Sequence, residues 1–136
     1  MKVRRLGPGD EGVVRSLGTQ GGPARASELL ADDRTLFLGA FQGEAVVGFL
    51  LGYELIRRHS EASHLFVYEL GVDPQHRRRG VATALMDEVA SVARRRGIRS
   101  AFLLTNESNG PAMALYDRLG GRRLNQDDVL WDFVFE

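Results

Sequence analysis

Three arginines precede a glycine at the start of a helical pattern, in the stretch Val72-Asp73-Pro74-Gln75-His76-Arg77-Arg78-Arg79-Gly80-Val81-Ala82. The chemistry such a stretch suits is capture of an anion. The first N–H groups of a helix have no intrahelical acceptor and carry partial positive charge. Three added cations oppose that charge at roughly 0.3–1 kcal/mol each, so the arrangement makes sense with an anion between them. Gly80 lets backbone approach a ligand closely, and the small Ala82 keeps the first turn open. The N–H groups of the turn can then cradle a pyrophosphate. Alone, R-x-x-G-x-A is a weak signal, expected by chance in roughly one chain in ten of this length. An apolar strand before it, an amphipathic helix after it and a second motif downstream raise it above that level.

The second motif is Thr105-Asn106-Glu107-Ser108-Asn109-Gly110-Pro111-Ala112-Met113-Ala114-Leu115-Tyr116. Ser108 or Asn109 suits the cap of a short helix. Ala112 and Leu115 fall on its apolar face and Tyr116 at the border of that face, where the ring packs and the hydroxyl stays wet. Glu69 is the one acid inside the apolar strand Ala62–Val72. It could serve as a base, directly or through a water, or alternation could turn it to solvent or an arginine. His64 and His76 are weaker base candidates, since arginines beside His76 disfavour its protonated form.

The elements that must position these groups are legible from periodicity. Lys2–Leu6 reads as an edge strand, Asp10–Leu17 and Ala24–Ala31 as helices, and Gly18-Thr19-Gln20-Gly21-Gly22-Pro23 as a breaker between them. Thr35–Phe41 and Ala45–Leu55 form a hairpin around Gln42-Gly43. Val81–Arg96 is the strongest helix, with Val81, Leu85, Val89 and Val92 on one face and Gly97 ending it. Ser100–Thr105 is a strand, Pro111–Leu119 a helix, and Val129–Phe135 a final strand, with room for one more between Gly121 and Leu124. The order predicts one α/β domain over residues 1–136, a mixed central sheet of six to seven strands with about four helices. Gly7-Pro8-Gly9-Asp10-Glu11-Gly12 matches a dinucleotide fingerprint, but the preceding strand is too short and no parallel strand returns.

The chain has 136 residues, 43% hydrophobic and 26% charged, the balance of a globular protein. It has no cysteine, which excludes disulfides, thiolate nucleophiles and Cys-based metal sites. Eighteen basic and eighteen acidic residues cancel. That balance, with a single compact anion site, argues against a nucleic-acid binder. The N-terminus lacks an apolar leader core and the longest apolar run, Ala45–Tyr53, is too short to span a bilayer, so a cytoplasmic protein is expected.

Together V-D-P-x-x-R-x-x-G-x-A at Val72–Ala82 and N-x-x-A-x-x-L-Y at Asn109–Tyr116 resemble the GNAT superfamily of N-acetyltransferases. Its usual L-G-F is here Leu119-Gly120-Gly121. Tyr53-Glu54-Leu55, Tyr68-Glu69-Leu70-Gly71-Val72 and His76–Leu85 resemble more narrowly the aminoglycoside 3-N-acetyltransferases of the gentamicin-resistance type. Asn106 and Asn109 stand where that group would carry aspartates.

The resemblance implies the GNAT fold and acetyl-CoA as donor to a primary amine, with an aminoglycoside antibiotic as the favoured acceptor and antibiotic resistance as the outcome. It assigns coenzyme A to Leu70, Gly71, Val72, Arg77, Arg78, Arg79, Gly80, Val81, Ala82, Thr83, Asn109, Ala112 and Tyr116. In that reading Tyr116 protonates the leaving thiolate and Glu69 takes a proton from the amine. A backbone N–H near Val72 would meet negative charge developing on the acetyl oxygen. Tyr53, Glu54, Glu107, Asp127 and Asp128 would contact a polycationic acceptor. No metal, nucleic acid or membrane is implied, and a homodimer is allowed. Rival readings are acetylation of a peptide N-terminus, a lysine or a small metabolite amine, and a non-catalytic acyl-CoA sensor.

Overall fold

A computed structural model describes residues 1–18, 21–22 and 24–135 of the chain. Thr19, Gln20 and Pro23 of the expected breaker, and Glu136, lie outside the described residues. The elements run β1 (Lys2–Arg5), α1 (Glu11–Ser16), α2 (Arg25–Ala31), β2 (Thr35–Gln42), β3 (Ala45–Leu55), β4 (His64–Val72), a 3₁₀ turn (Pro74–His76), α3 (Val81–Arg96), β5 (Ser100–Leu103) and α4 (Gly110–Arg118). They fall into two compact units, residues 1–104 and 105–136. No described helix is long and apolar enough to cross a membrane.

In the first unit the sheet order is β1-β2-β3-β4-β5. The first four strands pair antiparallel and β5 joins β4 in parallel, which makes the sheet mixed. Each face carries its own apolar core. On one face Val81, Leu85, Val89 and Val92 of α3 pack with Leu36, Leu38, Leu50, Leu65 and Val67. On the other, Val14 of α1 and Ala26 and Leu30 of α2 pack with Leu6, Phe37, Phe41 and Leu51. A Cβ at Gly48 would stand 2.6 Å from Cγ1 of Val81. Glycine at that point lets the first turn of α3 lie close against the sheet.

One irregularity in β4 matters for the site. Leu51 pairs with Glu69 while Gly52 pairs with Val67, so Tyr68 is an extra residue with no register partner. A bulge of this kind bends the strand and re-aims its side chains. Beyond it β4 parts from β5, whose pairing ends at Val67 with Leu103.

The strand count corrects the sequence reading. Five strands form rather than six or seven, and neither the stretch between Gly121 and Leu124 nor Val129–Phe135 belongs to a strand. Val129–Phe135 has strand composition, but a strand exists only where a ladder partner satisfies its backbone, and this stretch is paired with no other described segment of its own unit. The second unit is built instead on α4. The N–H of Gly121 returns to the carbonyl of Tyr116 at 2.9 Å, closing the helix end.

Candidate functional site

The turn between β4 and α3 is built from its own residues upward. Asp73 caps the 3₁₀ turn, its Oδ1 accepting the N–H of Gln75 at 3.3 Å, with Pro74 at the first position. Its other oxygen lies 3.1 Å from Nδ1 of His76, which holds that ring inside the turn. Arg78 then takes φ +62°, the one non-glycine among the described residues in the left-handed region, and Gly80 takes φ +79°. Left-handed backbone at an arginine costs about 1–2 kcal/mol, and strain of this kind gathers where a ligand or mechanism over-determines the geometry.

Gly80 caps α3 without a side chain. Its carbonyl accepts the first helical bond, from the N–H of Ala84 at 3.0 Å. The N–H groups of Val81, Ala82 and Thr83 therefore stand at a helix end with no side-chain acceptor. Apart from its two chain neighbours, no described residue places an atom within 4 Å of where a Cβ on Gly80 would be. Arg77, Arg78 and Arg79 are exposed, and no described carboxylate pairs with them. Bare helical N–H groups, three unneutralised guanidinium groups and open space beside the glycine fit a diphosphate. The open side of β4 from Tyr68 to Val72, where β5 has parted, fits the extended amide-bearing arm of coenzyme A, which can pair there as an added strand would.

Glu69 follows the bulged Tyr68 and is exposed. Tyr53, half-buried on β3, lies near enough that its hydroxyl pKa is raised, first by burial and next by the negative charge of Glu69. The rings of Tyr53 and Tyr68 meet edge-on at 5.8 Å. Glu69, Tyr53 and Tyr68 thus form one group on the sheet. Tyr68 was not among the expected site residues, since simple alternation sets it opposite to Glu69, and the bulge at Tyr68 brings the two into one group.

His64 sits at the other end of β4, its Nδ1 2.6 Å from Oγ of Ser100 and its ring stacked on Phe102 at 4.6 Å. Burial, and then the charge of Arg57, hold its pKa below the ordinary value.

Glu54 is engaged by an arginine. Alternation along β3 turns it away from the face that carries Tyr53. Its Oε1 accepts from Nε of Arg96 at 2.7 Å, and Arg96 also reaches Asp33 at 3.1 Å. Arg96 is the last residue of the sixteen-residue α3, about 24 Å along the helix from Gly80. Glu54 thus ties the C-terminal end of α3 to β3.

In the second unit Asn109 caps α4, its Oδ1 accepting the N–H of Ala112 at 3.2 Å. The acceptor side of Asn109 is thereby committed to the helix. Ala112 and Tyr116 are half-buried along α4. Burial raises the pKa of the Tyr116 hydroxyl, so it keeps its proton at neutral pH and can act as a donor. Glu107 pairs with Arg123 at 3.3 Å. Asp127 and Asp128 are exposed on the segment that follows, and the N–H of Asp127 donates to Oδ1 of Asn125 at 3.0 Å.

Comparison with known proteins adds to this geometry. The family model "Acetyltransferase (GNAT) family" matches residues 15–121. Thialysine N-epsilon-acetyltransferase of Mus musculus is 32% identical over 98 residues, 72% of this chain and 57% of that protein. Streptothricin acetyltransferase of Streptomyces lavendulae is 30% identical over 101 residues, 74% of this chain and 51% of that protein. The chain spans about half the length of the curated relatives it matches. Among solved structures, the aminoglycoside acetyltransferase HMB0005 from an uncultured soil metagenomic sample superposes with a TM-score of 0.88. It is 28% identical, with 99% of this chain and 98% of that chain covered.

Proposed function

This chain belongs to the acetyltransferase (GNAT) family, and on that premise we propose that it moves an acetyl group from acetyl-CoA to a primary amine, with an aminoglycoside as the acceptor. Acetyl-CoA is the acetyl donor of this family. The observation that carries the proposal is the turn at Arg77–Thr83, where three exposed arginines with no described carboxylate partner lead into bare helical N–H groups beside an open glycine. That arrangement offers a diphosphate both charge and hydrogen bonds. The residues divide the work. Arg77–Thr83 hold the phosphates, and the open side of Leu70–Val72 takes the amide-bearing arm. Glu69 removes a proton from the incoming amine, which must be neutral to attack. Tyr116 gives a proton to the departing sulfur.

The aminoglycoside reading rests on the likeness to the soil-metagenome aminoglycoside acetyltransferase over the whole chain and on the Tyr53–Tyr68–Glu69 group. Tyr53 offers a sugar ring a flat surface, and Glu107, Asp127 and Asp128 offer ammonium groups a negative field. The resemblance favours the 3-amino group. Modification of an antibiotic in the cytoplasm would give resistance. The mouse relative, named for a lysine analogue, makes a lysine-like amine the reading to set against it.

Mass spectrometry on products formed from acetyl-CoA with gentamicin-type antibiotics, lysine, peptides and polyamines tests the acceptor. A monoacetylated aminoglycoside is expected. Products from peptides, lysine or polyamines alone would overturn the acceptor and leave the transfer intact. Neutralising two proposed contacts, Glu107→Gln with Asp128→Asn, should raise the aminoglycoside KM several-fold and flatten the salt dependence of kcat/KM. The acetyl-CoA KM should stay as it is, because screened charges act on the cationic partner. An unchanged aminoglycoside KM would return both acids to the solvated surface.

A further inference from the structure

We propose that Arg25 is a specificity-determining residue of the acceptor site, which keeps ammonium groups off the Tyr53 side of the site and binds hydroxyls there. The proposal rests on the acetyl-transfer reading above and adds an orientation to it. The reacting amine goes to Glu69, and a hydroxyl-bearing part of the acceptor lies beside Tyr53 and Arg25. Arg25 is the first residue of α2. That helix lies on the face of the sheet that carries Tyr53, because its Ala26 and Leu30 belong to the apolar core against which Tyr53 packs.

Two contacts fix the direction of the side chain. A Cβ at Gly21 would lie 2.6 Å from Cγ of Arg25 and 2.7 Å from its Cβ, so the stem of Arg25 lies against bare glycine backbone. Nη1 then donates to Oε2 of Glu28 at 3.3 Å. This is the only side-chain hydrogen bond of Arg25 among the described residues, and an exposed pair of this kind holds the guanidinium weakly. Its other N–H donors are left for a ligand. The charge of Arg25 is felt at the site. Burial raises the pKa of the Tyr53 hydroxyl, Glu69 and then Tyr68 add to the rise, and the positive charge of Arg25 works against it. Tyr53 thus senses a carboxylate and a guanidinium at once.

Opposite charges acting on one ring give the acceptor a direction. Glu69 attracts an ammonium group and can take its proton. Arg25 has donors and no acceptor, so it forms no hydrogen bond with an ammonium group and repels it. A sugar hydroxyl suits it, because the hydroxyl oxygen accepts from the guanidinium. Arg25 also offsets the charge of Glu28, which alone would draw ammonium groups to the same rim. An acceptor with one amine among hydroxyls therefore fits this side of the site better than one with amines throughout.

Steady-state kinetics of the full chain test this with glucosamine, which has one amine among hydroxyls, and with spermidine and gentamicin, which have several amines. The quantity read is the ratio of kcat/KM for each multi-amine acceptor to that for glucosamine, in the wild type, Arg25→Gln, Arg25→Glu and Arg25→Lys. Arg25→Gln should raise the ratio roughly threefold, the scale of one screened charge acting over several ångströms, and Arg25→Glu should raise it further. Arg25→Lys should keep the wild-type ratio, and the acetyl-CoA KM should be the same in all four. Nuclear magnetic resonance of the tyrosine rings gives a second readout, with Tyr53→Phe identifying the signal. Tyr53 should titrate at higher pH in Arg25→Gln, because a nearby cation favours the phenolate. Turnover with a ratio that neither Arg25→Gln nor Arg25→Glu moves would overturn the proposal and leave acetyl transfer intact. An unmoved Tyr53 titration would overturn it too. No turnover of any amine by the wild type would overturn the acetyl-transfer reading, and this proposal with it.

Discussion

Tyr116→Phe is expected to lower kcat by roughly 10²-fold or more, the usual scale for loss of a positioned general acid, while acetyl-CoA affinity stays unchanged. The substitution keeps the half-buried ring on α4 and removes only the hydroxyl. Burial raises the pKa of that hydroxyl, so the proton is present to be given at neutral pH. A phenol and a thiol differ by only about one to two units in ordinary pKa, and a raised phenol pKa still leaves transfer to a thiolate feasible when the two are hydrogen-bonded. Pre-steady-state kinetics isolate the chemical step and calorimetry with CoA reads the binding. An unchanged chemical rate would reduce Tyr116 to a packing residue of α4.

The second large effect is expected at Gly80. Gly80→Val should weaken CoA binding by at least about tenfold. Two causes act together. A residue other than glycine in the left-handed region costs about 1–2 kcal/mol, worth roughly 5–30-fold in affinity if the turn keeps its ligand-binding shape only at that cost. The branched side chain would also occupy the open space beside the N–H groups of Val81, Ala82 and Thr83. Gly80 is exposed and touches no core residue there, so the fold should survive and circular dichroism should be unaltered. Calorimetric binding of CoA as tight as in the wild type would show that the phosphates lie elsewhere.

Much of what positions these groups was legible in the residues. The bounds of α3 and β3 follow from local pattern alone, because a four-four-three apolar spacing and a glycine stop leave one solution for α3. An unbroken apolar run between turn signals does the same for β3. The turn at Gly80 was legible because its charge pattern opposes the helix dipole and so demands an explanation. What failed depended on pairing. The bulge at Tyr68 comes from the register between β3 and β4, which no single strand encodes, and with it went the grouping of Tyr68 with Glu69. The pairing of Glu54 with Arg96 was hidden for a related reason, since it joins β3 to the end of α3 and no single element encodes it. Val129–Phe135 has every local mark of a strand and finds no ladder partner within its own unit among the described residues, and local pattern cannot report that.

The central claim is transfer of acetyl to an amine from a donor seated at Arg77–Thr83. Its most direct test is thiol release from acetyl-CoA by the purified chain, measured with and without an amine panel that includes gentamicin-type aminoglycosides. The account predicts release of free thiol that depends on the amine, matched by one acetyl group gained per thiol released. Tight binding of CoA with no amine-dependent release from any acceptor would contradict it, and would leave a protein that binds the acyl carrier without using it.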